Sequence, residues 1–93
     1  MNIFQKIFGI KNKEDDMALD LFNANFKSAT NFENANDYFK AAEFYFKSTE
    51  SLAKVLNKNI YAQKIREVDL RLKLLFEKIR VDNLQKFQDM IRR

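Results

Sequence analysis

The absence of proline, with glycine confined to Gly9, constrains this chain of 93 residues more than any other feature. Proline and glycine punctuate turns and sheet hairpins, and both are poor in helix interiors. A chain nearly free of them favours long uninterrupted helices over a β-fold. The apolar fraction of 46% is enough for one core, and ten phenylalanines make that core aromatic. The expected organisation is one helical domain over residues 1–93. A domain of this size buries only about 60–65% of its unfolded surface, so its margin of stability is thin.

The chemistry open to such a chain is narrow. There is no cysteine, hence no disulfide, thiolate metal site or cysteine nucleophile. There is no histidine, which removes the commonest general base and zinc ligand. Glu14, Asp15, Asp16 and Asp20 cluster, but without the glycine turn and closing glutamate of a calcium loop. Helix capping explains them better. Glu67 and Asp69 stand two apart and share no helix face. The expectation is therefore no enzyme, no cofactor and no metal. No segment reaches the roughly 20 apolar residues of a membrane span. Residues 1–11 lack the apolar core and cleavage site of a secretory leader, so a cytoplasmic location is expected.

Hydrophobic spacing divides the chain into helices. Residues 1–15 form an amphipathic segment and linker, with Ile3, Phe4, Ile7 and Phe8 at helical spacing before Gly9. A first helix is expected over 16–34, with Ala18, Leu19, Phe22, Phe26 and Ala29 on one face. Asp37 is placed to cap a second helix over 38–56, whose stripe is Tyr38, Ala41, Tyr45, Ser48, Leu52 and Leu56. Phe39 and Phe46 widen that stripe on one side, Phe44 and Val55 on the other. Such a wide apolar arc calls for neighbours on both flanks, making this the middle helix. A third helix over 60–80 turns Tyr61, Ile65, Val68, Leu72, Leu75, Phe76 and Ile79 to the core. Asp82 and Gln85 have the spacing of a capping box, so a short fourth helix over 83–92, or a bent extension of the third, is expected.

Asn36-Asp37-Tyr38 followed by Ala41, Tyr45 and Ser48 has the spacing Y-x-x-A-x-x-x-Y-x-x-small. This resembles the second helix of a tetratricopeptide repeat, and equally that of MIT (microtubule-interacting and trafficking) domains. Ala29 and Phe32 match the small and aromatic positions of the repeat's first helix. The similarity spans about residues 18–56. It departs where Asn36 replaces the turn glycine, where Ser28 replaces a large aliphatic and where the closing proline is missing. No second copy follows, which favours the self-contained version: an all-α, three-helix antiparallel bundle. The resemblance implies a scaffold that binds short peptides or helices, commonly between helices two and three. Phe44, Val55, Ile65 and Leu72 would then wall the groove, with Lys64 and Arg71 at its rim.

The feature this reading leaves over is a second apolar stripe on helix three, Leu70, Leu74 and Val81, facing away from the core. Arg66, Lys73 and Arg80 recur every seven residues on one side of it, and Lys64, Arg71 and Lys78 on the other. Residues 1–50 carry 6 basic and 8 acidic side chains; residues 51–93 carry 11 basic and 5 acidic. Two basic lanes straddling an apolar strip, with Glu67 and Glu77 between them, suit a protein partner better than a phosphate backbone. The expected partner-binding residues are Leu70, Leu74, Val81, Arg66 and Lys73, joined by Phe4, Ile7 and Phe8. The functional expectation is a protein–protein interaction module or small adaptor that binds a helix or peptide, with homodimerisation through the strip as one route. The alternative is a small basic helical protein of a phage or mobile element that binds nucleic acid or inhibits a host protein. Residues 1–10 could also pack on the strip or make weak contact with a membrane surface.

Overall fold

The computed structural model describes residues 13–92, which form three helices and no strand. They are α1 (Lys13–Asn34), α2 (Tyr38–Ser51) and α3 (Lys58–Ile91). The expected segment before them, with Phe4, Ile7 and Phe8, lies outside the described residues.

Each turn has a local chemical cause. After α1, Asn36 takes a left-handed backbone, φ 62°. The Asn36 N–H donates to the Glu33 carbonyl at 3.0 Å, and the Asp37 N–H to the Phe32 carbonyl at 2.9 Å. This is the paired closure of a Schellman motif, with asparagine where glycine is usual. One residue on, the Asp37 carboxylate caps α2 by accepting from the Lys40 N–H at 3.3 Å. The Asn57 side chain caps α3, accepting from the N–H groups of Asn59 and Ile60 at 3.0 and 3.2 Å.

Helix boundaries differ from the expectation in two places and decide between two expected forms in a third. First, α1 begins at Lys13, so Lys13, Glu14 and Asp15 belong to its first turn and not to a linker. Second, α2 stops at Ser51, five residues early: Leu52, Ala53 and Lys54 form a turn, and Leu56 lies exposed in the loop. Its backbone is held instead. The Leu56 and Asn57 N–H groups donate to the two oxygens of the Asp15 carboxylate at 2.8 and 3.3 Å. Third, of the two forms expected past Asp82, a short fourth helix or an extension of the third, the chain takes the extension. Asp82 pairs with Lys86 at 3.1 Å and Gln85 donates to Asp89 at 3.1 Å, both four residues apart within α3. A side chain engaged along the helix surface does not cap a new one.

The core forms where α2 packs on both α1 and α3. Its buried members are Phe22 and Ala29 of α1, Ala41 and Tyr45 of α2, Leu52, and Val68, Leu72 and Leu75 of α3. Ala29, Ala41 and Ser48 are small and fully buried, which lets α1 and α2 approach closely. The rings fill what remains: Phe26 meets Tyr45 edge-on at 5.4 Å, and Phe32 stacks on Phe44 at 5.2 Å. Several expected core members are not there. Tyr61 and Phe76 of α3 are more than two-fifths exposed, and Phe39 and Phe46 leave one flank of α2 open to solvent. Among the described residues no element covers that flank.

Candidate functional site

Helix α3 is 34 residues long, against 22 for α1 and 14 for α2. At about 1.5 Å per residue it spans roughly 50 Å, more than twice the length of α2. It contains no glycine or proline, and ion pairs along its surface favour continuity: Asp69–Lys73 at 3.1 Å, Lys64–Glu67 at 3.6 Å, Glu77–Arg80 and Asp82–Lys86. Near Ile79 and Asp82 it draws level with the α1–α2 turn, sharing a cleft with Asn36, Asp37 and Phe39. From Asn83 to Arg92 every residue is exposed.

Two faces of α3 do different work. Val68, Leu72 and Leu75 enter the core. At about 100° per residue, Leu70, Leu74 and Val81 lie within about 40° of one another on the opposite side. They are 60%, 50% and 52% exposed. Leu84, 47% exposed, continues the same strip. The spacing 70, 74, 77, 81, 84 alternates four and three, the pattern by which one helix presents a seam to another. Glu77 occupies the middle of that seam, hydrogen-bonded to Arg80, which holds its carboxyl below the usual carboxylate range.

The two basic lanes beside the seam are not equivalent. Lys64, Arg71 and Lys78 border α1. Lys64 sits over the Phe22 ring, 5.6 Å from its centroid, and Lys78 pairs with Glu33. Arg66, Lys73 and Arg80 form the outer lane. Lys73 and Arg80 pair with carboxylates of α3 itself, and Arg66 Nε donates to the Ala62 carbonyl at 3.3 Å. Arg66 and Arg71, one in each lane and on either side of Leu70, make no ion pair among the described residues.

Glu33 is a buried carboxylate that the sequence reading passed over. One oxygen accepts from the Tyr45 hydroxyl at 2.7 Å, and the other pairs with Lys78. Burial pushes the Glu33 carboxyl up, but the Lys78 ammonium and Tyr45 hydroxyl outweigh it, and the net displacement is downward. Burial, and then the bond to Glu33, push the Tyr45 phenol up. This triad joins all three helices, so its first role is structural. Asp15 places its charge in the first turn of α1 and fastens the α2–α3 loop as well.

Of the residues expected to wall a groove between α2 and α3, one is drawn into the core and three are partly buried beside it. Leu72 is buried in the core cluster, and Phe44, Val55 and Ile65 pack against it. A separate hollow of about 430 Å³ lies where α1 meets the end of α2, floored by Met17, Leu21 and Ala53 with Glu50 beside them. Among the described residues there is no cluster of metal-ligating side chains, and no helix is long and apolar enough to cross a membrane. No protein-family model, curated protein or solved structure matches this chain.

Proposed function

We propose that this protein is a non-enzymatic protein–protein interaction module, an antiparallel three-helix bundle that binds a partner helix along the outer face of α3. The observation that carries the reading is the exposed seam of Leu70, Leu74, Val81 and Leu84, which runs for about 21 Å and has no neighbour among the described residues. Solvation alone does not call for four large aliphatics at alternating four- and three-residue steps; a helix laid alongside does. Burying a leucine stabilises a complex by roughly 1.5–3 kcal/mol, so this many anchors suffice for a specific, moderate affinity. Arg66 and Lys73 border the seam and supply orientation more than affinity.

Nucleic acid is the weaker reading. Lys64, Lys73, Lys78, Arg80 and Lys86 are each within 4 Å of a carboxylate of the same chain, and Glu67 and Glu77 interrupt the basic surface. The deciding experiment replaces Leu70 and Leu74 with serine. Both side chains are at least half exposed, so the melting temperature should stay within a few degrees of the parent. Binding of a synthetic amphipathic helix, measured by fluorescence anisotropy at about 0.5 M salt, should fall at least tenfold. Unchanged binding by a folded double variant refutes this interface.

A further inference from the structure

The charge around the seam narrows its occupant, given the docking reading above. Six basic side chains line the two lanes, and four of them, Lys64, Lys73, Lys78 and Arg80, pair with carboxylates of the same chain, so the charge left to a partner is chiefly that of Arg66 and Arg71. Arg66 and Arg71 flank Leu70 on opposite sides with no ion pair among the described residues, although the Arg71 charge also helps to hold the Glu33 carboxyl down. A planar guanidinium is built for two-point contact with a carboxylate. We infer that the seam takes an amphipathic helix whose apolar stripe is bordered on both sides by carboxylates.

Two other occupants fit less well. A second copy laid seam to seam brings basic lane against basic lane whether the helices run parallel or antiparallel, and like charges at these flanking positions repel. An anionic bilayer would accept the lysines and arginines, but it would receive Glu77 in the centre of the inserted face, where a carboxylate opposes insertion. A helix bordered by acids meets both lanes with opposite charge and can turn a polar residue toward Glu77.

The test uses the full chain and three synthetic helices of about three heptads. All three carry the same leucine and valine stripe, with flanks made of glutamate, glutamine or lysine. Each is used below the concentration at which it self-associates. At about 0.15 M salt the glutamate helix should bind about tenfold more tightly than the glutamine helix, and the lysine helix more weakly than either. Arg66→Glu with Arg71→Glu should reverse the order, with circular dichroism confirming that the fold is kept, and Leu70→Ser with Leu74→Ser should weaken all three. If glutamate and glutamine helices bind alike, or the order survives charge reversal, the acidic partner is wrong while the seam still stands. Loss of this distinction in the other direction is equally readable: no helix bound, or binding indifferent to the leucine substitutions, removes the docking reading and this inference with it. Phosphatidylserine vesicles and a DNA duplex complete the set. Binding to either that depends on the arginines but not on the leucines overturns the assignment in favour of that polyanion.

Discussion

Asp15 and Glu33 are each 8% exposed, and both survive burial for the same reason: every carboxylate oxygen has a donor. Neither stands out in the sequence, where Asp15 is one of three consecutive acids and Glu33 sits in a polar stretch at the end of its helix. Periodicity identifies apolar faces; it cannot show that a carboxylate will meet a tyrosine twelve residues on or a lysine on another helix. Glu33 gives a measurable pH signature. Its native pKa is lowered, so its contribution to stability is complete above the ordinary glutamate value of about 4.3 and disappears as pH falls through the lower native value. Replacing Glu33 with Gln should cost about 1 kcal/mol near neutrality, and the gap between variant and parent should close below about pH 4. Urea unfolding curves across that range provide the check. Tyr45 has the opposite sense: its pKa is raised, so its neutral form supports the fold up to about pH 10 and that support declines above it.

At the scale of elements, α1 and α2 follow the small-and-aromatic spacing closely. Ala29, Ala41, Tyr45 and Ser48 are all fully buried where that spacing puts them. For the third helix, a capping-box spacing at Asp82 and Gln85 is compatible with two structures, and local sequence does not choose between them. Continuity prevails, and it joins Leu84 to the strip begun by Leu70. It also leaves Leu84, Phe87, Met90 and Ile91 exposed on about two turns of helix beyond the core formed by the described residues. Isolated helices of that length are marginal in water. The amides of residues 84–91 should therefore exchange within seconds, while those of residues 68–75 exchange only on global unfolding. Hydrogen exchange followed by mass spectrometry or NMR separates the two. Slow exchange beyond residue 84 in the isolated protein would mean that something covers the end of α3.

For the molecule as a whole, the consequential asymmetry lies between a short hairpin and a long third helix. The core occupies the stretch where all three overlap, and the basic half of the chain extends past it. Charge at this scale should keep the protein from pairing through its seam. Light scattering at low salt should give a monomer, and screening or reversal of Arg66 and Arg71 should increase any association. A dimer at low salt that dissociates on Leu70→Ser would show that seam contact overcomes the repulsion. Composition and spacing alone establish an all-helical chain, the buried faces of α1 and α2, the Asp37 cap, and an outward stripe at Leu70, Leu74 and Val81, because these depend on backbone propensity and helical period. Where α3 ends, which basic residues are spent holding α1, and that Leu72 is drawn into the core were decided only in three dimensions. Those outcomes depend on contacts between residues tens of positions apart, where burial and partner geometry override any local signal.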